Sequence, residues 1–158
     1  MESSQTIGKR MTSFGEAISL FCRNYVNFEG RASRAEYWWP TLLQVGVYIV
    51  LFLSFIFFLG AGDYNTSEGS DDFGSGAFSI LIAGFLFALI NFLPGLAVKV
   101  RRFHDLDQSG WLVLVFWGGN FFIPLVEFAR MIWFAFPGID GPNQYGPDPF
   151  WNEAEIFG

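Results

Sequence analysis

Three stretches without a charged residue, Tyr37 to Gly62, Phe73 to Val98 and Gln108 to Val126, set the pattern of this chain. A bilayer core takes about 20 mostly apolar residues per helix. Each stretch can supply a span, expected at about 41–60, 77–98 and 111–136. Helices that are apolar all round must be covered, and too little chain remains to cover three of them with protein. The pattern predicts an all-α integral membrane protein with three transmembrane helices.

Ahead of the first stretch the period changes. Phe14, Ala17, Ile18, Phe21, Cys22 and Tyr25 recur at helical spacing, while Glu16, Ser19, Arg23 and Asn24 face elsewhere. Ser13 and Glu16 have capping-box spacing, which opens a helix at Phe14. This amphipathic helix is too short and too polar to span. It either lies on the cytoplasmic interface, as an interfacial helix does, or packs on the cytoplasmic ends of the bundle. Cys22 sits among its apolar positions and reads as a small buried hydrophobe.

Ser33 and Glu36 repeat the capping-box spacing. Tyr37, Trp38 and Trp39 then read as an aromatic belt at headgroup level. Pro40 should kink the helix or start its membrane part afresh. In the second span, Gly84 and Ala88 form a small-xxx-small pair that permits close helix approach, and Pro94-Gly95 should bend the helix. Gly118, Gly119 and Pro124 interrupt the third stretch, which becomes a bent helix or a re-entrant pair. One membrane domain is expected over 14–149. Residues 1–12 read as a flexible N-terminus, 61–76 as a mobile loop, and 137–158 as an irregular acidic tail.

The net charge of −6 conceals a segregation. Lys9, Arg10, Arg23, Arg31 and Arg34 precede the first span, and Lys99, Arg101 and Arg102 follow the second. The first connecting loop and the tail carry acids and no base. Lys and Arg are retained on the cytoplasmic side. The rule predicts a multi-pass membrane protein with its N-terminus inside and its C-terminus outside. Met1 to Thr12 is polar, so no cleavable signal peptide is expected. A single cysteine excludes an internal disulfide and a cysteine-based metal site.

The densest polar segment runs Lys99-Val-Arg-Arg-Phe-His-Asp-Leu-Asp-Gln-Ser-Gly-Trp111 and holds the only histidine. One His and one carboxylate cannot fill a metal shell. His104 has the pKa of a general base, but adjacent helical residues do not face each other, so Asp105 is poorly placed to orient it. Arg101 and Asp105 are spaced to pair. The plainer reading is a loop anchor in which Arg101, Arg102 and Asp105 pair locally or with lipid phosphate; the sharper one is a clamp, in which Glu36 or Asp105 pairs with an arginine of the other motif and ties the first helix to the central loop. Arg31, Arg34, Glu36, Arg101, Arg102, His104, Asp105, Ser109 and Trp111 make up this clamp or binding set. Glu127 and Arg130, three apart, form an ion pair. On one continuous helix Glu127 lies about 24 Å beyond Trp111, near the outer interface, where Arg130 can snorkel outward.

Three segments, Phe28-Glu-Gly-Arg-Ala-Ser-Arg-Ala-Glu-Tyr-Trp-Trp39, Val100-Arg-Arg-Phe-His-Asp-Leu-Asp-Gln-Ser-Gly-Trp111 and Gly141-Pro-Asn-Gln-Tyr-Gly-Pro-Asp-Pro149, together resemble the bacterial inner-membrane family called domain of unknown function 805. The resemblance covers about Phe14 to Pro149. It implies a small multi-span protein of the cytoplasmic membrane and assigns no activity, cofactor or catalytic residue. The acidic loop Asp63 to Gly76 looks longer than the family's, and Glu127 and Arg130 stand where members tend to be apolar.

No nucleophile, base and orienting group can be assembled, so no enzyme activity, cofactor or metal is expected. The leading expectation is a scaffold, partner-binding or envelope-sensing protein. Its basic cytoplasmic rim would meet anionic lipid headgroups, at about 1 kcal/mol per Lys or Arg, or an unidentified protein partner. The alternative is an oligomeric channel or transporter for an ion or small solute, which requires a homo-oligomer. A lipid-modifying enzyme using His104 ranks third. The basic residues are few and committed to the membrane face, so nucleic acid is not an expected partner.

Overall fold

The computed structural model describes residues 12–62, 72–122 and 125–150. The expected flexible N-terminus up to residue 11, most of the acidic loop, Pro124 and the tail beyond 150 lie outside them. Among the described residues the named elements are all helices, with no strand: α1 (Phe14–Arg23), α2 (Arg34–Gly62), α3 (Asp72–Asp105), α4 (Leu112–Phe122) and α5 (Val126–Ala135). Both expected serine N-caps form. The Ser13 hydroxyl accepts from the Glu16 amide at 3.3 Å, and the Ser33 hydroxyl accepts from the Glu36 amide at 3.2 Å. Each satisfies one orphan N–H of a first turn.

The chain divides into two compact units, Met1–Trp39 with Pro94–Gly158, and Pro40–Leu93. The divisions fall at the two prolines inside helices, Pro40 of α2 and Pro94 of α3. A helix proline removes one intrahelical hydrogen bond, so both long helices are weakest at the divisions.

The Pro40–Leu93 unit contains most of α2 and the first two-thirds of α3. Its large apolar side chains face outward: Val50, Phe52, Phe57, Phe78 and Phe85 are all exposed. Water does not tolerate so extended an apolar surface. Arg34–Gly60 and Gly76–Asp105 are long and apolar enough to cross a membrane. Gln44 donates to the Asn91 carboxamide oxygen at 3.3 Å, and Asn91 donates back to the Phe87 carbonyl at 2.8 Å. The close approach of the two helices is at Gly76, where a Cβ would come within 2.8 Å of the Phe58 ring. At Gly84 an added Cβ would make only ordinary contact with Leu51, at 3.8 Å.

The other unit has a protein core of Phe21, Ala32, Tyr37, Val98, Phe103, Val113 and Phe134. Three sequence expectations change here. Cys22 is exposed; Ala17 and Phe21 carry the buried face of α1, and Cys22 lies off it. Tyr37 is not a belt residue but core. Its ring meets Phe134 edge-on at 4.8 Å. The stretch 111–136 is not one long helix. Its two helices have 11 and 10 residues, each too short to cross about 30 Å of hydrocarbon. Phe116 of α4 and Trp133 of α5 lie 5.9 Å apart, ring to ring. Seventeen residues along one straight helix would separate them by about 25 Å, so α5 folds back on α4.

Candidate functional site

The site begins at the C-terminal end of α3. A helix leaves its last four carbonyls unpaired. Here Asp107 N and Gln108 N donate to the His104 and Phe103 carbonyls at 3.0 and 2.9 Å, a Schellman closure. Asp107 takes the left-handed conformation at φ 55°. The tail covers more of this end. Ile139 N donates to the Asp105 carbonyl at 3.0 Å, and the Asn143 amide donates to the His104 carbonyl at 2.8 Å.

Arg31, Glu36, Arg101, Arg102 and Asp105 of the motifs turn inward. Asp105, 1% exposed, accepts from Arg31 Nε at 3.0 Å through Oδ1 and from Arg102 Nη1 through Oδ2. Arg31 also donates to the Gly141 and Ile139 carbonyls. Arg102, fully buried, donates to the carbonyls of Phe134 and Phe136, where α5 ends. One guanidinium thus pairs with a carboxylate and caps a helix C-terminus, as its fork of donors permits. Glu36 accepts from Arg101 Nη1 at 2.5 Å. The Nε and Nη2 groups of Arg101 are buried without a partner among the described residues. Unsatisfied buried donors cost stability, so the Asp105 pairs hold more of the fold than the Glu36 pair. The backbone joins in, with Ala32 N donating to the Arg101 carbonyl at 3.1 Å.

The structure therefore brings together Arg31, Glu36, Arg101, Arg102 and Asp105. Arg34, Ser109 and Trp111 stay exposed and outside this network. His104 is not oriented by Asp105. Its Nδ1 lies 3.1 Å from the Gly30 carbonyl, an acceptor only, so Nδ1 carries the proton. The ring stacks on Tyr145 at 3.9 Å and an interplanar angle of 2°. Among the described residues no group of three His, Cys, Asp or Glu side chains could hold a metal ion.

Sequence reasoning underrated the tail. Asp148, 5% exposed, accepts from the amides of Gly141 and Phe150. Asn143 and Gly146 exchange backbone hydrogen bonds around a turn, and that turn sets Tyr145 on His104. The spacing of prolines, glycines and aspartates in 141–149 was the available signal. Because Arg31 holds Ile139 and Gly141, residues 137–150 lie on the same side of the fold as the N-terminal motif.

Glu127 and Arg130 pair. Arg130 does not snorkel outward. It is buried, donates to the Tyr37 hydroxyl at 3.2 Å and lies over the Phe134 ring at 5.0 Å. The depth reckoned along one straight helix fails because α5 returns to the end from which α4 starts.

A family model described as "Protein of unknown function (DUF805)" matches residues 25–147. Inner membrane protein YhaH of Escherichia coli (strain K12) is 35% identical over 128 residues, 80% of this chain and 90% of the relative. Inner membrane protein YhaI of the same strain is 33% identical over 129 residues, 80% of this chain and 89% of the relative. No solved structure matches the chain significantly.

Proposed function

The chain belongs to the DUF805 family, with inner-membrane proteins among its relatives, and from that footing we propose that it is a non-enzymatic binding protein of the cytoplasmic membrane. In this reading α2 and α3 cross the bilayer, α4 and α5 form a re-entrant hairpin, and α1 lies along the cytoplasmic interface. The first motif, the central loop and the tail make one locked cytoplasmic platform that receives a lipid or a protein partner. The observation that carries the reading is the buried Arg31–Asp105–Arg102 set. It commits Arg31 of the first motif and Arg102 and Asp105 of the second to holding a shape, and it takes Asp105 away from His104. Among the described residues, Arg31, Arg101 and Arg102 of the expected basic rim are internal, which leaves Arg23 and Arg34 exposed for anionic headgroups.

Topology tests the platform. In a Cys22→Ser background, a membrane-impermeant maleimide should label Ser67→Cys in intact cells. Ser3→Cys and Asp140→Cys should label only after permeabilisation. Labelling of Asp140→Cys from outside would remove the common cytoplasmic face. A photo-reactive amino acid at Trp111 should also form discrete adducts in native membranes. A platform that binds nothing would give none.

A further inference from the structure

The same three motifs present a second face. The residues between the arginines and acids line a cleft of about 780 Å³. Glu29 comes from the first motif, His104, Ser109 and Trp111 from the second, and Gln144 and Tyr145 from the third. The ion network explains none of these side chains. Leu96, Val100 and Leu114 form an apolar wall. The cleft is continuous along the chain of α4 with exposed apolar residues. Trp111 is 75% exposed and Val115 64%, the surface that lipid covers in a membrane protein.

The polar end of this cleft is rich in acceptors. With Nδ1 protonated toward Gly30, the neutral His104 ring offers Nε2 as an acceptor, and that atom has no partner among the described residues. It stands beside Gly110, where a Cβ would come within 3.0 Å of it and 2.6 Å of Val100. Gln144 donates its amide to Asp107 at 3.3 Å, which leaves its carbonyl oxygen. Glu29 adds an exposed carboxylate. Among the described residues no lysine or arginine lines the cleft. A phosphate or carboxylate head finds no cation here, whereas a cation bearing N–H donors finds acceptors, a negative charge and aromatic faces.

We propose that the cleft binds a phospholipid with a primary ammonium headgroup. The ammonium sits between Glu29, His104 Nε2 and Gln144, and an acyl chain follows Val100 and Leu114 past Trp111. This deepens the platform reading and rests on it. The test uses the purified full chain in nanodiscs of equal parts phosphatidylethanolamine, phosphatidylcholine and phosphatidylglycerol. The protein is then released into detergent and its retained lipids are weighed by native mass spectrometry. Phosphatidylethanolamine should be enriched about fivefold over phosphatidylglycerol, the scale of one partly exposed charge pair. Phosphatidylcholine has the charge without the N–H donors and should be enriched less. Glu29→Gln, at an exposed position, should bring the ratio close to one. Leu114→Trp, also exposed, should fill the cleft and abolish retention. Equal retention of the three lipids overturns the proposal, as does a preference unchanged in Glu29→Gln. Adducts at Trp111 with no headgroup preference would remove the ligand class and leave the platform. Outside labelling of Asp140→Cys would remove both.

Discussion

Arg102→Ala is expected to lower the melting temperature in detergent by about 10 °C. Removing one partner of a buried ion pair costs about 3–5 kcal/mol, and each kcal/mol moves a chain of this size by about 2–4 °C. Arg102 is fully buried and does two things at once. It pairs with Asp105, and it supplies the donors for the carbonyls of Phe134 and Phe136 where α5 ends. Alanine leaves those carbonyls dry and unpaired, and Asp105 keeps only Arg31. Lysine should recover part of the loss, since it restores the charge but cannot reach a carboxylate and two carbonyls with one fork. Arg34→Ala removes a neighbouring exposed arginine and should change stability by less than about 0.5 kcal/mol. If Arg102→Ala melts like Arg34→Ala, the network does not hold the platform.

Gly138→Ala is the smallest change expected to have a comparable effect. A Cβ at this position would fall on the Asp105 carboxylate, meeting both oxygens and the carbon between them. Asp105 cannot move aside, because Arg31 and Arg102 hold it. The backbone around residue 138 must lift instead. That breaks the bond from Ile139 N to the Asp105 carbonyl and the bonds from Arg31 to the Ile139 and Gly141 carbonyls. The tail should detach, pulling Tyr145 off His104. Limited proteolysis should cut Gly138→Ala between 137 and 150 at least tenfold faster than the parent, a population shift of about 1.4 kcal/mol or more. Gly141→Ala provides the comparison. It faces open space and suffers only from its φ of 82°, a cost of about 1 kcal/mol. Equal cleavage of the parent and Gly138→Ala would mean that the tail does not depend on this contact.

The charge-free runs located α2 and α3 because a membrane span needs nothing but length and apolarity, and both are local. The two capping boxes located the starts of α1 and α2 for a similar reason, since donor and acceptor are three residues apart. The acids and arginines that could meet across motifs were also legible, because a charge near a bilayer must find water, lipid phosphate or an opposite charge. The partners themselves belonged to the tertiary structure. Arg31 reaches Asp105 across 74 residues, and no count of charges says which arginine will be buried and which, like Arg34, will stay out. The third run shows the same limit from the apolar side. Hydropathy reports that residues 111–136 avoid water, not whether lipid or protein replaces it. The return of α5 against Phe116 and Tyr37 decided that, and with it the burial of Arg130 and the side on which the tail lies. Tyr37 and Cys22 exchanged their expected places for one reason: a helix face is buried only where another element arrives to cover it, and the elements that arrive come from far along the chain.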